Sequence, residues 1–355
     1  MKRRTLLTQA ALWALSASAA GPARAASEAP NDELAPIWSA WKQAHLDRTG
    51  RVVDVGQERA SHSEGQGYGM ALAVEFDDRV VFDAMHRWTQ ANLAVRPDAL
   101  LAWRWRPDIP KRIDDFNNAS DGDLFYAWAL LRAAEHWNEP AYLNLAKALA
   151  RDLVANCVIE RPDMPDDVVI LPAAFGFTKP GSVILNPSYM MPRALREVGR
   201  ATGETALIDA AEGGLRLMAD LARVGSMPDW VRSSSDGLSQ AEGFSDHTGY
   251  EAIRVPLFLI WSGETNHPAV RAHAMGAEQM GNGAPIVFSR VTGEIYERSP
   301  DTGYEAVHAL TRCVTGDMGF STMPYFDPKQ PYYPATLQLF SMLAVTRTLQ
   351  TCTPI

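Results

Sequence analysis

Apolar residues at helical spacing recur along almost the whole chain, and in some stretches they run right round the helix. Between 124 and 134, Leu124, Ala127, Trp128, Leu130, Leu131 and Ala134 leave little of the surface polar. A helix of that kind needs cover on both sides. Helix-compatible stretches fall at about 34–47, 65–75, 78–93, 122–137, 141–156, 188–201, 204–222, 248–262, 267–281, 303–315 and 334–350, with short connections. Strand-like runs are few and brief, for example Leu101 to Trp105, Val168 to Leu171 and Ile286 to Phe288, so a large regular sheet is not expected. The expected class is mainly α, with inner helices ringed by outer ones. Periodicity alone fits a toroid, a solenoid or a bundle.

The N-terminus carries Lys2, Arg3 and Arg4, an apolar run from Leu6 to Ala20, then Ala23-Arg24-Ala25. That is the pattern of a cleaved export signal over 1–25, and the run is too short to span a bilayer comfortably. Arg3-Arg4-Thr5-Leu6-Leu7 also fits a twin-arginine leader, although paired basic residues occur in ordinary signals. The expected location is periplasmic or secreted, without stable membrane insertion. The leader holds four basic residues and no acidic ones, leaving 29 basic against 42 acidic, a net charge of −13. Such a balance argues against a nucleic-acid partner. No linker or low-complexity tract divides 26–355, which reads as one domain. Cys157, Cys313 and Cys352 leave at least one thiol unpaired within the chain, so stability should come from core burial.

Several stretches carry chemistry. Ser63-Glu64-Gly65-Gln66-Gly67-Tyr68-Gly69-Met70 sets one carboxylate among glycines and an aromatic at a helix start. The glycines allow close approach of backbone and substrate, and Tyr68 offers a flat ring for a sugar. Equally, Glu64 reads as a solvated first-turn charge on a Gly-rich helix start. A phosphate loop is discounted, because no Gly-Lys-Ser/Thr follows. Asn117-Asn118-Ala119-Ser120-Asp121-Gly122-Asp123 opens another helix. There Ser120 and Asp121 suit capping and Asp123 suits the dipole. Trp103 and Trp105 upstream fit either a carbohydrate cleft or a packed core. Ser188 in Asn186-Pro187-Ser188-Tyr189 fits a cap. In Gly249-Tyr250-Glu251-Ala252-Ile253-Arg254-Val255-Pro256, Glu251 and Arg254 would share a helix face and pair. The apolar run that follows points to burial, and a buried acid beside an arginine is a functional candidate. No His-Glu-x-x-His, Cys/His cluster or Gly-x-Ser-x-Gly elbow is present, so neither metal nor cofactor is expected.

Together these stretches resemble glycoside hydrolase family 8, and within it the periplasmic endoglucanases encoded with bacterial cellulose synthases. The family signature is matched by Ala119-Ser120-Asp121-Gly122-Asp123, Ala127, Ala129, Leu130, Leu131, Ala133 and Trp137. Tyr126 departs from the usual Ile or Met and reads as a packing variation. The resemblance implies an (α/α)6 toroid with a substrate groove across the inner-helix ends. It also implies Glu64 as general acid, Asp121 as a substrate-binding carboxylate, and Glu251 where the catalytic base is usually Asp. Tyr250, Arg254 and Tyr189 match their counterparts, and Trp103, Trp105, Tyr68 and Tyr189 become candidates for sugar contact. Asp246 is the reserve candidate for the base.

The family is inverting, which requires two carboxyl groups about 6.5–9.5 Å apart with a water between base and sugar. The implied activity is hydrolysis of β-1,4-glucan during cellulose synthesis and secretion, with loose association with the synthase complex. Rival expectations are a hydrolase of xylan, chitosan or mixed-linkage glucan, and a glucan-binding protein weakened by Glu251.

Overall fold

The computed structural model describes residues 32–278, 281–316 and 323–349. The expected leader over 1–25 and Cys352 lie outside these. Eleven α-helices occur among the described residues: α1 (Ala35–His45), α2 (Ser63–Glu75), α3 (Arg79–Asn92), α4 (Ser120–His136), α5 (Pro140–Cys157), α6 (Pro192–Thr202), α7 (Thr205–Ala222), α8 (Arg254–Trp261), α9 (Pro268–Ala277), α10 (Thr302–Thr315) and α11 (Tyr332–Thr348). Strands are confined to antiparallel pairs and one four-stranded sheet, in the order Thr178–Lys179, Ser182–Leu185, Val231–Ser234, Gly237–Ser239. Its strands are two to four residues long, and only Ser182–Leu185 is buried throughout.

Burial alternates along the chain. Helices α1, α3, α5 and α7 bury one face, as with Phe82, Met85 and Trp88 of α3. Helices α2, α4, α8 and α11 are buried over most of their length. Their aromatic rings meet at the centre: Phe340 of α11 lies 5.1 Å from Tyr68, 6.1 Å from Phe125 and 4.9 Å from Trp261, centroid to centroid. Burying each such ring is worth about 1.5–3 kcal/mol. Inner helices covered by outer ones form the (α/α)6 toroid. The polar end of this core is paired, with Glu75 held by Arg132 and Arg347.

Two expectations about α2 and α4 change here. The glycines of α2 face neighbouring elements of the chain. A Cβ at Gly67 would lie 2.9 Å from Tyr126 N and 3.0 Å from Phe125 Cβ, and one at Gly122 would lie 2.2 Å from Ser63 Oγ and 2.7 Å from Glu64 N. The two helices touch backbone to backbone. Each helical glycine costs about 1 kcal/mol of propensity, which the close packing offsets. Tyr126 is more than a packing variation: fully buried, its hydroxyl bonds His86 Nδ1 and Gln90 Nε2, each at 2.8 Å, tying α4 to α3. Cys157 is a buried free thiol at the end of α5.

Replacing Gly122 by alanine should therefore force α2 and α4 apart. The expected loss is about 1–3 kcal/mol of stability, read as a lowered thermal midpoint, with activity falling alongside because the clash is with the backbone of Glu64.

Candidate active site

The N-terminal turns of α2 and α4 lie side by side, and each presents a carboxylate. Strand Ser61–His62 pairs with Arg104–Trp105, and Ser63 N donates to Trp103 O at 2.9 Å, which fixes where α2 begins. Glu64 stands in the first turn. In α4, Ser120 caps nothing: its N–H donates to Pro172 O and its hydroxyl to Leu171 O, anchoring the helix start to the loop after residue 170. Asp123 is fully buried and accepts from Leu101 N and Asn118 Nδ2 at 2.8 and 2.9 Å. It is a structural tie, and burial pushes its carboxyl up to about 7. Asp121 is free to face the cleft residues.

Arg254, the first residue of α8 and 1 % exposed, joins these elements. Its Nη1 donates to Glu64 Oε2 at 2.7 Å, to Tyr68 Oη at 2.8 Å and to Asp121 Oδ2 at 3.1 Å. Its Nη2 donates to Ser188 Oγ at 2.8 Å and to Glu251 Oε2. Three carboxylates thus share one cation in a desolvated setting, which favours retention of a proton. Burial first, then neighbouring acids, raises Asp121 to about 7 despite Arg254. Glu64 is likewise raised, by burial and by Glu251 and Asp54, against the pull of Arg254 and of the Tyr332 hydroxyl. The acids at the two ends of the guanidinium, Glu64 and Glu251, are held within about 8 Å by ordinary hydrogen-bond lengths.

Glu251 does not lie on a helix. The expected stretch 248–262 is helical only over 254–261; Thr248 forms a β-bridge with Phe288, and 250–253 is a turn. Asp229 explains it: its Oδ1 accepts from Ala252 N at 2.8 Å, and its Oδ2 lies 2.3 Å from where a Gly249 Cβ would sit. Burial raises Asp229 to about 6. Glu251 Oε2 accepts from Asn186 Nδ2 at 3.2 Å and from Ser188 Oγ at 3.4 Å, so Ser188 belongs to the site; Asn186, whose Oδ1 accepts from Ser188 N, is the cap. Asp246 pairs with His247 at 3.2 Å, half-exposed and apart from Arg254's partners.

The expected sugar contacts divide. Tyr189 is half-buried beside Arg254, whose Cζ lies 5.5 Å from its ring. Tyr68 is fully buried among Phe125, Phe258 and Phe340, so it has no face for a sugar and serves Arg254 through its hydroxyl. Trp105 has Arg51 and Arg112 over its ring at 4.9 and 5.3 Å, which occupies the platform expected of it. Trp103 stacks on His62 at 5.9 Å and donates to Asp115, half-buried. Tyr250 turns its hydroxyl to Glu297, and only its carbonyl, which accepts from Tyr333 Oη at 2.6 Å, meets the cluster.

Other residues at the site went unnoticed in the sequence. Tyr332 donates to Glu64 Oε1 at 2.6 Å; the Tyr332-Tyr333 doublet opening an apolar helix was the available signal. Beyond Tyr189 stand Trp230, 6.3 Å away, and Phe177, stacked on Trp230 at 5.7 Å. No group of three or more His, Cys, Asp or Glu among the described residues is arranged to hold a metal ion.

Comparison with known proteins gives the family. The sequence model "Glycosyl hydrolases family 8" matches residues 3–347. A curated relative, named a probable endoglucanase, from Novacetimonas hansenii is 34 % identical over 319 residues, 88 % of this chain and 91 % of that protein. The crystal structure of an endo-β-1,4-glucanase from Acetobacter xylinum superposes with a TM-score of 0.79 at 32 % identity, covering 89 % of this chain and 99 % of the other. An endoglucanase structure from Klebsiella pneumoniae gives a TM-score of 0.78 at 30 % identity, with 88 % and 99 % covered. This chain belongs to glycosyl hydrolase family 8 and is a glycoside hydrolase.

Proposed function

We propose that this chain is an inverting endo-β-1,4-glucanase in which Glu64 is the general acid, Glu251 the general base and Asp121 a carboxylate that binds the sugar at the point of cleavage. The observation that carries the reading is the sharing of Arg254 by these three acids. The names of the relatives in the family supply the polymer, a β-1,4-glucan.

The roles follow from unequal surroundings. Burial and neighbouring acids raise the carboxyl of Glu64, which favours its protonated form, and its side chain is still 21 % exposed toward a ligand. It would protonate the glycosidic oxygen as the bond to the anomeric carbon breaks. Glu251 is more open, 32 % exposed at the side chain, and its Oε2 is taken up by Arg254, Asn186 and Ser188. That leaves Oε1 to take the proton of the attacking water. Asp121, with Oδ1 accepting from Gly122 N at 2.7 Å, is fixed to hydrogen-bond a hydroxyl of the distorted sugar. A glutamate base reaches one methylene further than aspartate, and the turn pinned by Asp229 sets the point from which it reaches.

The leader-like pattern over 1–25 supports action outside the cytoplasm, on glucan chains emerging during cellulose synthesis, with at most a loose contact to the synthase. No helix among the described residues is long and apolar enough to cross a membrane.

Reducing-end release and viscosity of carboxymethylcellulose test the reading. Wild type should thin the solution faster than it releases ends, and Glu64→Gln and Glu251→Gln should each lose about a hundredfold or more in kcat. Loss in Glu64→Gln alone would move the base elsewhere, with Asp229 next. The pH profile has a sign as well: because Glu64 acts protonated and its carboxyl is raised, activity should fall as pH rises through that raised value, and Glu64→Gln should abolish this basic limb. Glu251→Asp should keep activity well above Glu251→Gln but below wild type, since the shortened side chain gives up Asn186 and Ser188.

A further inference from the structure

Tyr332, at the start of α11, has no role in the scheme above. It is 3 % exposed, and its hydroxyl lies 2.6 Å from Glu64 Oε1. The other oxygen of Glu64 faces Arg254 Nη1 at 2.7 Å. A guanidinium has only donors and keeps its charge, so Oε2 must accept from it in either protonation state. A proton held by Glu64 therefore sits on Oε1. A phenol can donate or accept, which suits it to the oxygen whose proton comes and goes.

We propose that Tyr332 is the positioning residue of the general acid: it holds Glu64 Oε1 as the proton-bearing oxygen and stabilises the carboxylate left when that proton is delivered. The inference rests on Glu64 being the acid. In the step, the Oε1–H bond breaks and its electron pair stays on Glu64, while the proton forms a new O–H bond at the glycosidic oxygen. The bond from that oxygen to the anomeric carbon breaks with its pair moving to oxygen. Water adds to the carbon and gives its proton to Glu251. Negative charge reaches Oε1 only as this happens. A hydroxyl donates more strongly to a carboxylate than to a neutral acid, so the Tyr332 contact strengthens toward the transition state, the condition for a rate effect.

The charged and titratable groups that face Glu64 are Arg254 and Glu251 from α8 and the turn before it, Asp121 from α4, Tyr68 from its own helix, Asp54 from the preceding loop, Tyr189 from the 187–189 turn and Tyr333 beside Tyr332. Glu251 and Asp54 oppose ionisation of Glu64; Arg254 and Tyr332 favour it. Arg254 serves Asp121 and Glu251 at the same time, whereas among the described residues the hydroxyl of Tyr332 bonds Glu64 alone. Tyr332 can therefore be tested without disturbing the other two acids.

The test compares wild type, Tyr332→Phe, Glu64→Gln and the double variant on carboxymethylcellulose and on a 2,4-dinitrophenyl β-cello-oligoside, whose leaving group departs without a proton. Tyr332→Phe should lose about tenfold or more in kcat on the polymer, the order expected for one hydrogen bond to a charged group. Its basic limb should move to higher pH, because Glu64 loses a donor that favours its ionised form. It should lose little on the activated substrate, which also reports intact folding, and should add nothing to Glu64→Gln. An unmoved basic limb, equal losses on both substrates, or losses that multiply in the double variant would overturn the proposal and leave Tyr332 a packing residue. Polymer activity retained in Glu64→Gln would instead overturn the assignment of the acid, and the proposal with it.

Discussion

The catalytic end of this protein depends on one buried cation. Arg254 is almost without solvent, and a guanidinium in that position is stable only if its donors are met. They are met by Glu64, Asp121, Glu251, Ser188 and Tyr68, which come from α2, α4, the 187–189 turn and the turn before α8. The same contacts that satisfy the arginine therefore fix the relative positions of four segments far apart in the chain. One positive charge among three acids also leaves an excess of negative charge, which the first turns of α2 and α4 ease through their dipoles. The remainder is relieved by protonation, and an enzyme that needs a neutral acid beside an ionised base has use for that imbalance.

Much of the fold could be read from periodicity because packing here follows the helical repeat. The stretches that bury a face, such as Phe82, Met85 and Trp88, announced themselves. So did the apolar circumference of α4. The helix boundary before Arg254 could not be read in that way. Residues 248–253 continue a helix-compatible pattern, but Thr248 pairs with Phe288 across a β-bridge, which takes the carbonyl that a helix would offer to Ala252, and Asp229, some 20 residues upstream, accepts from Ala252 N instead. Local propensity is a weak prior against a long-range contact of this kind.

The site was legible in its carboxylates and much less so in its surroundings. Glu64, Asp121, Glu251 and Arg254 stood in short motifs and come together in space. Tyr68 and Trp105 belong to residue types that line sugar clefts, but type does not give orientation: one faces the core and the other lies between Arg51 and Arg112. Tyr332 lies 268 residues from Glu64 in sequence. Nothing in a local window could join the two; only closure of the toroid does.

The contact between Gly67 and Gly122 divides the three acids into two mechanical classes. With no side chains between them, α2 and α4 lie backbone to backbone, so the spacing of Glu64 and Asp121 is set by the packing of the two helices. Glu251 rides instead on a short non-helical turn tethered by hydrogen bonds. The place of Glu251 is thus set by Arg254 and a few single hydrogen bonds, whereas that of Glu64 and Asp121 is set by backbone packing, so loss of the Asp229 or Asn186 contact would shift Glu251 and leave the other two acids in place.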